Sequence, residues 1–576
     1  MKQSIGFSMV LLGTFAAVLL GTSILRRAEV FALAAQTSAA PPAQLENPDA
    51  VCATCHQQIY DRYRTTSKAR GSGDALSALF PGNFHHEASN ISYRVYQQDG
   101  AAWMSYSRPA SDPRGPLDGH EQLRFYIGSG HRGRTYLFQA GDQWYELPIN
   151  YYTRRAGWDM APAFGDAATL PAPLPVDPNC LHCHATAVQP SLPTARNSFA
   201  TIPFLQGGIG CSACHGDATA HLAAKGHAPI ANPVKMATAA RDSVCLQCHL
   251  EGDAVVYRPG KSLNQFTVGD DLANTAVYFV RSTGQAGGGR ATSQYEALLQ
   301  SACKRASGDK LTCITCHDPH GSPAPSERVA FYRARCLQCH TSPAMAQHHA
   351  EQPDCTHCHM PRLNTADISH EQLTDHNIQA KPRPSRDSTP TPQAIESLLP
   401  VGNTTFTDRE LGLAYAQMAE HGFPGMDTRA LQLLSGAAGA GASDPEMNSR
   451  LGYLYQLAGK GDLARVYYRK VLEADPYQPS ALANLAVMDA ASGRVQEAIH
   501  LLDRLVSADP SRTTAGLNLA FIECSLGRSA ESHALLERLE KLNPDDPQLR
   551  TFLEKGTYAG RRCAVQPGIP VDRPTK

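Results

Sequence analysis

The chain has 576 residues, with 52 Lys and Arg against 53 Asp and Glu and a formal net charge of -1. That length allows two or more domains, and the balanced charge gives no sign of a nucleic-acid surface. The unusual part of the composition is 17 Cys and 23 His.

The N-terminus begins Met1-Lys2, runs apolar from Ile5 to Leu25, and then carries Arg26, Arg27 and the Ala-rich Ala32-Leu33-Ala34-Ala35. Residues 1–35 therefore read as a signal peptide or a membrane anchor, since about 21 apolar residues can span a bilayer as a helix. No Cys lies near enough for a lipid anchor. Residues 36–48 read as a short linker.

Between residues 49 and 378 the chain spells Cys-x-x-Cys-His seven times. The copies are Cys52-Cys55-His56, Cys180-Cys183-His184, Cys211-Cys214-His215, Cys245-Cys248-His249, Cys313-Cys316-His317, Cys336-Cys339-His340 and Cys355-Cys358-His359. Each is the attachment signature of a c-type haem: two thiols bond the porphyrin edge and the adjacent imidazole takes the iron. At this composition a chance copy is expected in roughly a few per hundred chains. Zinc sites also use Cys-x-x-Cys pairs, but zinc does not require a His directly after every second Cys. A disulfide framework leaves the same His unexplained. Seven covalently attached haems c are expected, and bacteria attach them outside the cytoplasmic membrane, which agrees with export to the periplasm.

Roughly 47 residues per haem leave little room for a conventional core. The gap between Cys55 and Cys180 holds strand-like text: ISYRVYQQDGAAWMSYS, LRFYIGSG and RTYLFQAGDQWYELPI. This predicts a small antiparallel sheet with hairpins at Asp-Gly and Ala-Gly. It also separates the first motif from the other six, so the first haem is expected to be an outlier. The other six are expected to form a compact cluster leading toward the C-terminal region.

Residues 379–400 contain AKPRPSRDSTPTPQ, a Pro- and Ser-rich linker. Beyond it Pro476, Pro510 and Pro544, Gly459, Gly493 and Gly527, and Leu451, Leu485 and Leu519 all repeat at 34 residues. This is the tetratricopeptide repeat (TPR) period, with each unit a helix-turn-helix. Leu451, Gly452, Tyr455, Ala464, Tyr468 and Pro476 fall on the expected positions of one unit, and a degenerate earlier unit spans about Thr407 to Ser443. The repeat domain is placed at 401–560, with a tail at 561–576. The fold class is multidomain: a haem-rich, loop- and short-helix multihaem cytochrome c domain with a small β segment, followed by an all-α TPR solenoid. Stacked helix pairs form a groove for a peptide or protein surface. Redox partner proteins and a docked peptide are therefore the expected partners, with a rigid spacer or self-association surface as the plainer alternative.

Three Cys lie outside the motifs. Cys524, in a helical repeat, reads as a small buried apolar residue. Cys303 and Cys563 have no assignable partner in the sequence.

Haem iron has two axial positions. His at both gives a closed carrier, whereas an open position allows substrate chemistry. The seven motif His leave thirteen others between Cys52 and His376: His85, His86, His120, His131, His182, His221, His227, His320, His348, His349, His357, His370 and His376. The supply exceeds seven.

The runs FYIGSGHRGRTYL, YELPINYY, CSACHGDATAH, VCLQCHLEG, CITCHDPHG, DCTHCHMPR and TDHNI resemble bacterial exported multihaem cytochromes c fused to TPRs. The haem part is similar to the broad group that includes the hydroxylamine-oxidation cytochromes. The resemblance implies distal ligands at His86, His131, His221, His320, His348 or His349 (His349 in the ligand set), His370 and His376. His182 and His357 sit inside Cys-x-x-Cys loops and are left out with His120 and His227. The chain departs from the group's pattern at Gln294-Tyr295-Glu296, where relatives carry His-x-Glu about nine residues before Cys303. One haem could then be open, with Tyr295 or Met160 near it. Since all seven motifs end in His, the expected function is electron transfer. The alternatives are an oxidoreductase acting on a small nitrogen or sulfur compound at one open haem, and a docking scaffold.

Overall fold

The computed structural model describes residues 44–282, 293–342, 351–363, 374–380, 397–438 and 444–563. The expected signal or anchor segment lies outside them. Among the described residues no helix is long and apolar enough to cross a membrane. From Leu45 onward they belong to one compact unit.

The long gap after the first motif folds as a ten-stranded antiparallel sheet. Its strands are β1 (Ser72–Asp74), β2 (Gly82–His86), β3 (Ile91–Gln98), β4 (Ala101–Arg108), β5 (Leu117–Ile127), β6 (Gly133–Ala140), β7 (Gln143–Glu146), β8 (Ile149–Tyr152), β9 (Gly157–Met160) and β10 (Leu174–Pro175). The main path runs β10-β7-β6-β5-β4-β3-β2; β1 pairs with β5, and β8 pairs with β6 and β9. Alternation sets the faces: Ile91, Tyr93 and Val95 are buried while Ser92 and Arg94 face solvent. Asp99 and Gly100 join β3 to β4 at φ 51° and 74°, the left-handed pair that a tight hairpin needs. The sheet curls until β9 meets the start of β2, where the Trp158 indole donates to Phe80 O at 3.2 Å.

On the other face of this sheet Phe125, Leu137 and Trp144 pack with Leu181, Val176 and Phe204. Leu181 lies inside the second motif, so the sheet anchors that haem segment directly. A small hairpin, β11 (Ala185–Val188) with β12 (Phe204–Gly207), completes this layer.

A third sheet has the order β13 (Ala254–Tyr257), β14 (Ala276–Arg281), β15 (Leu398–Pro400). Thus residues 398–400, at the end of the expected linker, form an edge strand. The first repeat helix, Asp408–Glu420, lies against β13: Gln417 Nε2 donates to Val255 O at 2.7 Å and its Oε1 accepts from Val255 N at 3.1 Å.

Helix pairs follow at Asp408–Glu420/Met426–Ala437, Pro445–Leu457/Gly461–Ala474, Pro479–Ala491/Val495–Ala508 and Thr513–Ser525/Ser529–Leu542, with a last helix Pro547–Lys555. Gly459, Gly493 and Gly527 end the first helix of each full repeat at φ 71°, 82° and 81°, which explains the glycine ladder. The turn side of the solenoid packs on the ten-stranded sheet. Arg108 binds Asp545 at 2.6 and 2.5 Å, Gln143 Nε2 donates to Ala508 O at 3.1 Å, and Arg196 pairs with Asp475. The chain closes with β16 (Thr557–Tyr558) and β17 (Arg561–Arg562).

The cysteine expectation needs correction. Cys524 is not a lone apolar residue: it is disulfide-bonded to Cys563, with a Cα–Cα separation of 6.0 Å. Cys303 is then the one Cys outside both the motifs and the disulfide.

Candidate haem centres

Each motif lies in or overlaps a helix: Ala50–Arg64, Pro178–Leu181, Ser212–His215, Thr238–His249, Cys313–Cys316, Arg328–Leu337 and Cys355–His359. One turn puts the two sulfurs on one face and brings the His to the same side. Polar caps position several of them: Asp177 accepts from Asn179 N, Asp354 accepts from Thr356 N, and Thr312 forms a capping box with Thr315. Asp49, at the start of the first turn, reaches across to Cys211 N at 3.1 Å and Gln206 Nε2 at 2.8 Å.

Sulfurs of different motifs meet in pairs. Cys52 lies close to Cys211, Cys183 to Cys248, Cys245 to Cys313, and Cys336 to Cys355. Asp49, Cys52 and Cys211 place ligand-type atoms within 4.8 Å of one another, but both sulfurs belong to attachment motifs and the carboxylate is already hydrogen-bonded. The first motif is therefore not an outlier. It packs on the third, with Tyr63 OH donating to Ile209 O at 2.6 Å and Arg62 bound to Asp318 at 3.0 Å. The ten-stranded sheet is an excursion that leaves and returns, so the long sequence gap does not separate the two motifs in space.

Three imidazole pairs face each other: His56 and His221 with ring centroids 6.5 Å apart and planes at 15°, His215 and His320 at 5.9 Å and 5°, His317 and His376 at 6.3 Å and 29°. An ion held between two imidazoles by metal–nitrogen bonds of about 2.0 Å separates their centroids by about 6.3 Å. Each pair joins one motif His to one of the distal candidates.

The outer nitrogens fix the tautomer. His215 Nδ1 donates to Ala231 O at 2.8 Å, His221 Nδ1 to Ala228 O at 2.7 Å, His376 Nδ1 to Thr374 O at 2.7 Å and His359 Nδ1 to Gln379 O at 2.5 Å. A carbonyl cannot donate, so the proton sits on Nδ1 and Nε2 keeps its lone pair for iron. Burial pushes the His249 and His317 imidazoles down to about 4 and also lowers His320 and His376, so all four are neutral at neutral pH. The rings of His249 and His317 are nonetheless accessible. Around the first motif Val51, Ile59 and Leu222 leave apolar surface exposed at 44%, 42% and 41%, as a cradle for a flat apolar group would. The residues present fit covalent haem.

The other candidates are placed differently. His86, in β2, has Nδ1 2.8 Å from Ser89 Oγ and Nε2 3.1 Å from Gly165 O. Both nitrogens are committed, and a carbonyl faces the one an iron would take. His131 is exposed between β5 and β6, and His340, the imidazole of the sixth motif, is exposed. His184 O accepts from Ser72 Oγ at 2.9 Å, tying the second motif to β1. His349 and His370 lie outside the described residues. His182 bonds Asn264 and Gln247 through its two nitrogens.

Met160, Glu296 and Tyr295, raised for an open iron, are held by packing or hydrogen bonds of their own. Met160 is 3% exposed inside the ten-stranded sheet. Glu296 accepts from Gly252 N at 2.9 Å and Ser293 N at 2.7 Å. Tyr295 packs beside Leu246, and burial pushes its phenol up to about 12, with the charges of Asp242 and Cys313 adding to it. The motif of Cys313 already has two facing imidazoles, His317 and His376. What sequence reasoning missed is the pairing itself and the carbonyls that hold the rings. His221 lies six residues after His215 yet faces His56.

Three family models match parts of the chain: tetratricopeptide repeat at residues 455–514 and 489–556, doubled CXXCH motif at 305–345, and cytochrome c554 and c-prime at 166–216. No curated protein matches. Among solved structures a mutant of MamA is 25% identical and covers 23% of this chain and 75% of its own, with a TM-score of 0.21. MamA of MSR-1 is 23% identical, with 24% and 75% covered and a TM-score of 0.21. A tetratricopeptide repeat protein from Parabacteroides merdae is 17% identical, with 24% and 56% covered and a TM-score of 0.22. At such scores these likenesses carry no argument. Motifs, matched models and repeat helices together describe a multihaem c-type cytochrome that carries a tetratricopeptide repeat domain.

Proposed function

We propose that the chain carries seven covalent haems and works as an exported electron carrier, its repeats holding a redox partner. Haem c supplies one-electron chemistry at iron when bound. The protein's part is to close both axial positions, exclude water and hold the centres near one another. The observation that carries the reading is the set of imidazole pairs His56–His221, His215–His320 and His317–His376, each 5.9–6.5 Å apart. Two imidazoles leave no position for a substrate. The sulfur pairs support electron passage, because neighbouring attachment points in contact bring the bound porphyrin edges close. Kinship with the hydroxylamine-oxidation group belongs to this proposal and rests on the motif runs. Electron paramagnetic resonance of the oxidised holoprotein tests it. Low-spin signals unchanged by cyanide or nitric oxide are expected; a high-spin haem that binds either ligand would establish the oxidoreductase reading instead.

A further inference from the structure

One short loop serves an imidazole of the fifth motif's pair and the imidazole of the seventh motif. Residues 374–379 carry His376, whose ring centroid lies 6.3 Å from that of His317 in the fifth motif. Three residues on, Gln379 O accepts from Nδ1 of His359, in the seventh motif, at 2.5 Å. At the start of the loop Thr374 O accepts from His376 Nδ1 at 2.7 Å. Two carbonyls of one loop thus fix the tautomers of imidazoles that belong to different centres.

The loop is fastened to the segment that leaves the seventh motif. Gln379 N donates to His359 O at 3.1 Å and Asp375 N to Pro361 O at 2.9 Å, and Thr374 pairs with Arg362 in an antiparallel bridge. Asp375 holds the shape between these ties. Its Oδ1 accepts from Asn377 N at 2.8 Å, and its Oδ2 accepts from Gln379 Nε2 at 3.4 Å. Ile378 N turns back to His376 O at 2.9 Å. An Asx turn followed by such a bond leaves little slack between His376 and Gln379.

We propose that residues 374–379 form a strap that couples the fifth and seventh centres, with Asp375 as its positioning residue. The proposal rests on the two-imidazole reading of His317 and His376 given above. A hydrogen bond from Nδ1 to a carbonyl makes an imidazole the more basic ligand, which favours oxidised iron and lowers the potential of its centre. While His376 is held on the fifth iron, the strap keeps Gln379 O against His359. Releasing His376 slackens that bond and raises the potential of the seventh centre. By linkage, a change at His359 is felt at His376 in return.

Redox titration of the holoprotein, with electron paramagnetic resonance at each step, tests the strap. His359→Met marks the transition of the seventh centre, because a Met ligand raises its potential. Asp375→Ala keeps both imidazoles and both carbonyls. It should move that transition upward by about tenfold in the reduction equilibrium, or about 59 mV for one electron. In the same variant the low-spin signal of the fifth centre should shift its g values. Asp375→Asn retains the Oδ1 acceptor and should restore both. His376→Ala should turn the fifth centre high-spin and move the seventh transition upward at least as far. A high-spin fifth centre with the seventh transition unmoved in both alanine variants would overturn the strap and leave the two-imidazole reading standing. If every haem stays low-spin in His376→Ala, the axial pair is wrong and the strap falls with it. If Asp375→Ala does not load its haems, the seventh transition in His376→Ala decides by itself.

Discussion

Asp545→Asn tests how the repeats are held on the cytochrome part. The Asp545 carboxylate is 1% exposed and accepts from Arg108 at 2.6 and 2.5 Å, from Leu170 N at 2.8 Å and from Arg550 at 2.9 Å. Burial pushes its pKa up, but the bonds from Arg108, Leu170 and Arg550 outweigh it and hold the group below the ordinary carboxylate range. The Arg108 side chain is fully buried, with one further bond to Gly115 O and Asp112 at 3.9 Å. Asparagine keeps the shape and removes the charge, leaving the guanidinium without a close counter-ion. Breaking such a pair from one side costs about 3–5 kcal/mol, and Asp112 places the expectation near the lower figure. Thermal unfolding of the holoprotein reads the loss. Replacing both partners by apolar residues, Arg108→Met with Asp545→Leu, should cost less than either single change. A loss below about 1 kcal/mol for Asp545→Asn, or a double variant as unstable as the sum of the singles, would refute a buried charge pair as the clamp.

His221→Ala, His320→Ala and His376→Ala should each convert one haem from low to high spin, read by electron paramagnetic resonance, whereas His86→Phe should leave the spin state unchanged. Burial pushes Glu121 from 4.5 up to about 7. The folded chain then holds this proton more tightly than the unfolded one, so its stabilising effect is complete below about pH 4.5 and fades as pH rises toward 7. Glu121→Gln should remove that slope, worth about 1 kcal/mol after allowance for partial exposure, in melting curves taken from pH 4 to 8. Cys524→Ser opens a bridge across 39 residues, which loop-closure entropy values at up to about 4 kcal/mol, and melting of the repeat helices should fall accordingly. The denatured haem-loaded wild type should titrate a single thiol, Cys303.

What was legible in the sequence is what local chemistry writes. Cys-x-x-Cys-His is a covalent requirement on five adjacent residues, and the 34-residue ladders follow from stacking one unit on the next. The Asp99-Gly100 turn was legible because two left-handed residues are needed there. The rest depends on long-range closure. His56 and His221 meet because Asp49, Tyr63 and Arg62 tie the first motif to residues 206–211 and Asp318, and no local pattern records that. Strands β1, β2, β8, β9 and β10 are two to five residues long, too short to display a period. The Cys524–Cys563 bridge joins a regular repeat to an irregular end, so periodicity had nothing to say about its second partner.

The spatial order of the motifs differs from their order in the chain, and under the proposed electron-carrier reading it bears on where a partner held by the repeats would connect. Sulfurs lie close to one another between motifs one and three, two and four, four and five, and six and seven. The first motif thus adjoins the third, and the second and fifth both adjoin the fourth. The repeats reach this part of the chain through β13, where Arg409 Nη1 donates to Tyr257 O at 2.8 Å. Burial pushes Tyr257 on β13 up to about 12, and Cys183, Asp177, Cys180 and Glu446 add to the rise. Tyr257 O accepts from Arg409, which pairs with Glu446 at the start of the first full repeat at 3.4 Å. A photosensitiser attached to Glu446→Cys should reduce the centre of His184 or His249 first. Earlier reduction of the centre of His359 would show that the repeats serve the last motif instead.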